Sequence, residues 1–204
     1  MIQDARAAGD SLQRLETIQT QIGRVVSAVR TMLDYARRPT LQPQSVDVAA
    51  LVEQICEISR PALGAASVDV RLKIAGELPR IQADPVQLEL ALLNLVSNAL
   101  DAMPRGGQLE IAVSRATEGV RLTVSDTGAG IPADVLPRVF EPWVTTKPAG
   151  RGTGLGLSIT REVVVSHGGS IAVRSEPGRG TVFTLDLPSA AAQKANATTC
   201  SESS

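Results

Sequence analysis

Between residues 11 and 38 the apolar positions Leu15, Ile18, Ile22, Val25, Val29, Met32 and Ala36 fall at alternating steps of three and four. That is a heptad seam, and it predicts a helix of a coiled coil or bundle. One such helix leaves its stripe wet, so it needs a partner. A partner chain is preferred to folding back on the same domain, because the seam is narrow and long. Two prolines in "RRPTLQPQS" (37–45) end the helix and make a linker. A short strand at "VDV", a helix over about 49–62 and an alternating strand "VDVRLKI" (68–74) follow. "ADPVQ" (83–87) reads as a helix start, with Asp84 as cap, Pro85 at the first helical position and Gln87 as capping-box partner. That helix runs to about Met103.

"QLEIAVS" and "GVRLTVS" predict two adjacent strands. Residues 126–156 lose all periodicity and are rich in glycine and proline, as functional loops and lids are. "GLSITREVVVSHGG" predicts a helix ending near Gly168 and Gly169, and two strands at 170–176 and 180–187 flank "PGRG". The tail from Ser189 has no apolar pattern and predicts disorder. Helices mixed with antiparallel-looking strands imply an α+β, two-layer α/β sandwich and not a doubly wound sheet.

Composition narrows the picture further. The chain has 204 residues, enough for one domain with a helical appendage, and a net charge of −1 with no long basic block. Nucleic acid is therefore not an expected partner. No segment resembles a signal core or a membrane span, so no membrane contact is expected and the cytoplasm is the expected compartment, although a longer parent protein could be membrane-anchored. Cys56 sits in a helical pattern as a small hydrophobe and Cys200 in the tail, without metal-ligand spacing.

Three features carry candidate chemistry. On the helix 84–103, Leu88, Leu92, Leu95, Ala99 and Ala102 form the stripe that faces the sheet. Asn94, Asn98 and Asp101 form a second stripe about 100° away. Carboxamide oxygens suit Mg²⁺, and amides orient water or phosphate; the plainer alternative is a solvated helix face. Asp126 ends a strand and is followed by Gly128 and Gly130, which permit close approach of a flat ligand. An ionised Asp126 accepts a hydrogen bond from an exocyclic amine such as adenine's, whereas an Asx turn is the purely structural alternative. Gly150, Gly152, Gly154 and Gly156 lead into a helix, and such a run exposes N–H groups for a phosphate, with Lys147 and Arg151 nearby to screen its charge. A surface loop is the alternative there.

Together the three features resemble the ATP-binding domain of sensor histidine kinases, in the superfamily shared with gyrase, Hsp90-type chaperones and MutL-type repair ATPases. "NLVSNALDAMPRGG" resembles the asparagine box and "DTGAGI" the first glycine box. "VFEPWVTTK" resembles the phenylalanine box, with Trp143 where a second Phe is usual. "GTGLGLSITREVVVSHGGSI" resembles the second glycine box and "SEPGRGTVFTLDLP" the closing strands. The resemblance implies a Bergerat-type ATP-binding fold, a mixed, mostly antiparallel sheet covered by about three helices, that takes ATP and Mg²⁺. It implies that Asn98 ligates the metal and that Asn94 stands near the γ-phosphate, the two together serving catalysis. Asp126 would read adenine beside Gly128, Gly130 and Ile131, while Gly152, Thr153, Gly154, Leu155, Gly156 and Leu157 would close over the phosphates. Asp101 stands where many members carry lysine or arginine, so Lys147 or Arg151 takes over that phosphate contact.

The N-terminal stretch resembles the second helix of a dimerisation and phosphoacceptor hairpin. The first helix, which carries the reactive histidine, is absent, and His167, at a helix end, matches a structural position. The implied domains are 1–38 (partial hairpin), 39–45 (linker), 46–188 (catalytic) and 189–204 (tail). The implied activity is ATP-dependent phosphorylation of a histidine on a dimerisation helix, relayed to the receiver domain of a response regulator, in a homodimer. Two alternatives stand beside it. One is an ATP hydrolase of the chaperone, topoisomerase or repair type, which needs a glutamate where Asn94 stands. The other is a non-catalytic dimerisation or ATP-binding module.

Overall fold

The computed structural model describes residues 41–147 and 152–191. The seam helix of 11–38, Gly150, Arg151 and the tail beyond Ala191 lie outside the described residues, as do the expectations placed on them. The elements in chain order are β1 (Gln44–Val46), α1 (Val48–Ala65), β2 (Val68–Ile74), β3 (Ile81–Ala83), α2 (Pro85–Ala102), β4 (Gly107–Arg115), β5 (Gly119–Asp126), a 3₁₀ turn (Leu136–Arg138), α3 (Gly156–Ser166), β6 (Ser170–Glu176) and β7 (Gly180–Pro188). One sheet has the order β2-β4-β5-β7-β6, and β1 pairs with β3 in a small second sheet. Only the β2–β4 pair of the large sheet is parallel. The mixed, mostly antiparallel sheet with three described helices is the α+β sandwich that the pattern implies.

Period-two alternation builds the core face. Leu109, Ile111 and Val113 of β4, Val120, Leu122 and Val124 of β5, and Phe183, Leu185 and Leu187 of β7 are all buried. Leu88, Leu92, Leu95 and Ala99 of α2 join the same cluster. The opposite face is polar, and Arg121 and Asp186, direct partners across β5 and β7, make a two-point ion pair there at 2.7 and 2.9 Å. Packing α1, α2 and α3 on one side leaves the C-terminal end of β5 open to the long irregular segment.

Three local expectations are corrected. The strand near "VDV" is shifted to Gln44–Val46, because Asp47 caps α1 by accepting from the N–H groups of Ala49 and Ala50. Gln44 and Ser45 consequently pair with Ala83 and Gln82 and leave the predicted linker. The capping box at Asp84 is only half made. Asp84 Oδ1 accepts from Val86 and Gln87 N–H at 3.0 and 3.3 Å, but its own N–H donates to His167 Nε2 at 2.8 Å and not to Gln87.

That bond fixes the histidine. Nε2 must accept from the Asp84 N–H, so the ring proton sits on Nδ1 and donates to the Val163 carbonyl at 2.7 Å. His167 is buried and ties the end of α3 to the start of α2. His167→Ala removes the acceptor from a buried backbone N–H. We expect a loss of about 1–3 kcal/mol, read as a lower denaturant midpoint at unchanged slope.

Candidate nucleotide site

The site is built on α2, the end of β5 and the start of α3. Asn94 and Asn98 are half-buried on α2, one turn apart, beside the core stripe. Asn94 Nδ2 donates to the carbonyl of Gly156, the first residue of α3, at 3.4 Å, a long bond that sets its amide against that helix start. Thr160 Oγ1 donates to the same carbonyl at 2.9 Å, within α3. No side chain caps α3, whose N-cap position is Leu155. Its first-turn N–H groups therefore have no side-chain acceptor, and a helix start of this kind favours an anion. A Cβ placed on Gly156 would meet the Asn94 side chain at 3.7 Å, so this residue's open side faces the amide.

Asp126 is the buried carboxylate of the site. Its Oδ1 accepts from Gly128 N–H at 2.8 Å, which is the Asx turn weighed as a structural alternative. The turn occupies one lone pair of a group that has several, so both readings hold at once. Burial pushes the carboxyl above its ordinary range, while the backbone N–H groups of Gly128 and Thr181 pull it back. The glycine turn is wedged in place. Ala129 N–H donates to the Ala102 carbonyl of α2 at 3.0 Å, and Gly178 N–H to the Ala129 carbonyl at 2.7 Å. Gly130 has φ +71° and a Cβ there would stand 2.2 Å from the Glu176 carbonyl, so only glycine fits. Ile131 is half-buried against the core, and its N–H donates to Ser175 Oγ.

The phenylalanine-box segment is held by Phe140, whose ring meets Phe183 edge-on at 6.4 Å. Trp143 N–H donates to the Gly154 carbonyl at 2.9 Å and so ties the two described ends of the irregular segment together. Trp143 has φ +69° and Gly154 φ +67°, and a Cβ on Gly154 would strike the Trp143 backbone at 2.5 Å. Gly154 thus packs directly on the Trp143 backbone, which leaves no room for a side chain there. The side chain of Leu155 is buried in the core, which leaves only its backbone for the phosphate contact expected of it; Leu157 is half-buried, and Thr153 is exposed.

Sequence reasoning missed one arrangement. Lys147 Nζ lies 3.0 Å from Asn98 Oδ1 and 2.5 Å from Asp101 Oδ2. A cation therefore already stands beside the oxygen expected to hold Mg²⁺, which shows that this corner accepts positive charge. An oxygen-bearing amide, an adjacent carboxylate, an uncapped helix start and a buried carboxylate at the strand end fit a magnesium nucleotide. Among the described residues no group of three or more His, Cys, Asp or Glu side chains could hold a metal ion.

This fold and site define a nucleotide-binding domain of the family described as histidine kinase-, DNA gyrase B- and HSP90-like ATPases, and the chain belongs to that family, whose sequence pattern matches residues 83–191. Domains of this family characteristically bind Mg·ATP, and within the family this chain is similar to sensor histidine kinases. It is 35% identical over 184 residues to sensor histidine kinase ZraS of Escherichia coli K12, covering 90% of this chain and 39% of that protein. It is 36% identical to sensor kinase CckA of Brucella abortus, covering 92% of this chain and 21% of that protein. The chain thus spans well under half the length of either relative. Among solved structures, full-length ShkA in complex with AMPPNP superposes with a TM-score of 0.69 at 30% identity, covering 84% of this chain and 35% of that one. Histidine kinase ThkA in complex with the response regulator TrrA gives 0.71 at 26% identity, with 84% and 49% covered. No helix among the described residues is long and apolar enough to cross a membrane.

Proposed function

We propose that this chain binds Mg·ATP between α2 and α3 and presents the γ-phosphate to a histidine on a dimerisation helix, for relay to a response-regulator receiver domain. The observation that carries the reading is the approach of the Asn94 amide to the uncapped start of α3, with the acceptor-rich Asp126 at the end of β5. Bound Mg·ATP supplies a transferable phosphoryl group and a cation that neutralises its charge. Asp126 binds and orients the base by accepting from its exocyclic amine. Asn98 would hold the metal, and Asn94 would steer the phosphate chain toward the N–H groups of α3. Thr153, Gly154 and Leu155 close over the phosphates, and Arg151 and Lys147 offset their charge. The ThkA–TrrA complex supports a receiver domain as the downstream partner, and the heptad seam supports a homodimer through residues 11–38. The division into a partial hairpin (1–38), a linker from residue 39, a catalytic domain ending at 188 and a tail (189–204) follows from the same reading, with Gln44 and Ser45 counted in the catalytic domain because they belong to β1.

The hydrolase alternative needs a general base one turn before the metal ligand. That position is Asn94, an amide that takes no proton near neutral pH. The single histidine is also unsuited to be the acceptor. Both nitrogens of His167 are engaged, and α3 carries it on the order of 15 Å from the phosphate end at 1.5 Å per residue. In-line transfer needs reacting atoms about 3–3.5 Å apart.

The test is incubation with Mg²⁺ and γ-labelled ATP, with and without an added peptide carrying a histidine-bearing first hairpin helix. We expect saturable nucleotide binding, no acid-labile phosphoimidazole on the chain alone, and label on the added helix. Steady hydrolysis without transfer, or phosphate on His167 by mass spectrometry at neutral pH, would overturn the assignment.

A further inference from the structure

The contact of Lys147 with both Asn98 and Asp101 is not explained by a lysine whose task is to meet phosphate. Asn98 and Asp101 lie one turn apart on the same face of α2, and the ammonium bridges their oxygens at 3.0 and 2.5 Å. The stem of Lys147 is also guided. A Cβ on Gly152 would lie 3.1 Å from Lys147 Cβ and Cδ and 2.6 Å from Thr145 Oγ1. The Lys147 N–H in turn donates to Thr145 Oγ1 at 3.1 Å. Lys147 is thereby held at its backbone, along its stem and at its charged head. The Lys147 side chain is about 30% exposed and that of Asp101 about 52%, so water screens the pair substantially and its effect is modest.

We infer that Asp101 is a positioning residue that parks Lys147 on the metal ligand Asn98 in the nucleotide-free protein, so that Mg·ATP must displace the ammonium before Asn98 can take the metal. This rests on the Mg·ATP reading of the pocket. A magnesium ion on the Asn98 oxygen would stand close to the ammonium, and the repulsion between the two cations favours release of Lys147. Metal entry therefore releases Lys147, and the carboxylate of Asp101 loses its partner at the moment the phosphates gain one. A lysine or arginine at position 101 would repel Lys147 and could not hold it; an aspartate makes release of Lys147 conditional on the metal.

The experiment combines amide exchange with a double-mutant cycle. In the nucleotide-free protein, Asp101→Asn is expected to speed exchange of the Lys147 amide and its neighbours by about two- to five-fold, the scale of a partly exposed ion pair. Saturating Mg·ATP should remove the difference between the two proteins. Mg·ATP affinity, followed by the emission of Trp143, the sole tryptophan, should rise by a similar factor in Asp101→Asn when Lys147 is present. It should not change when Asp101→Asn is added to Lys147→Ala. An equal gain in both backgrounds would mean that Asp101 merely repels phosphate, and a loss of affinity would mean that it serves the bound complex; either result overturns the latch. Unchanged exchange in the nucleotide-free protein overturns it as well. Absence of saturable Mg·ATP binding by the parent would instead overturn the nucleotide reading itself, while the exchange arm would still report on the Asp101–Lys147 contact.

Discussion

Asp126→Asn is expected to lower ATP affinity by at least about ten-fold while leaving the domain folded. The side chain is buried, and one of its oxygens already accepts from Gly128 N–H. The remaining acceptor capacity is what an adenine amine would meet. A charge-assisted bond of this kind contributes about 1.5–3 kcal/mol, and 1.4 kcal/mol is a factor of ten. The asparagine oxygen can still serve Gly128, so the turn survives, but its NH₂ confronts the adenine amine donor to donor. Burial raises the Asp126 carboxyl above its ordinary range. The carboxylate therefore takes up its proton earlier than usual as pH falls, and ATP affinity should decline from the upper part of the carboxylate range downward. The linkage to folding has the opposite sense. Because the folded-state value lies above the unfolded one, the favourable contribution is complete at low pH and is lost as pH rises through the folded value. Asp126→Asn removes that burden, so its loss of affinity cannot be assigned to unfolding. Calorimetric titrations of both proteins from neutral pH downward check this, and in the parent GTP should compete poorly, since its base offers an oxygen where adenine offers an amine. Equal ATP and GTP affinities would sink the hydrogen-bond reading.

The parts of this site that were legible in the sequence are those governed by local rules. The stripe Leu88, Leu92, Leu95 and Ala99 repeats with the helical period, and all four are buried. Asp84 and Pro85 mark the start of α2 because capping needs only neighbours. The glycines around Asp126 announce a turn, and Gly130 does adopt the left-handed backbone. What escaped is non-local. His167 takes the N–H of Asp84 from 83 residues away and so empties the capping box that the local pattern predicts. Ile81–Ala83 is too short to show alternation and becomes a strand only by pairing with Gln44–Val46. The parallel pairing of β2 with β4 leaves no mark on either strand's own pattern. Leu155 stands between glycines as a ligand contact would, yet its side chain fills the core. The Lys147–Asp101 pair joins residues 46 apart, and no spacing rule connects them.

Leu95→Asp should unfold the domain, whereas Asn98→Ala, three residues further along the same helix, should spare the fold and cost the metal-dependent part of nucleotide binding. Leu95 is 1% exposed and sits in the cluster shared by α2 and the sheet. Truncating such a side chain costs about 2–5 kcal/mol before any charge is added. A carboxylate in that position has no partner, and its burial costs several kcal/mol more. The sum is comparable to the whole stability of a domain, about 5–15 kcal/mol. Loss of the cooperative melt and of near-ultraviolet circular dichroism is the expected result. Asn98 lies at the border of that stripe, half-buried, and its side-chain oxygen accepts from the partly covered ammonium of Lys147. Its removal should move the denaturation midpoint little, by about 1 kcal/mol or less. Its effect should appear in the difference between titrations with Mg²⁺ and with chelator. In the parent, Mg²⁺ is expected to tighten ATP binding; in Asn98→Ala that gain should shrink by about ten-fold, while affinity for metal-free ATP stays within a few-fold. A variant that keeps the full Mg²⁺ gain would remove Asn98 from the metal site. One that loses ATP binding with and without metal alike would place it against the nucleotide and not the cation.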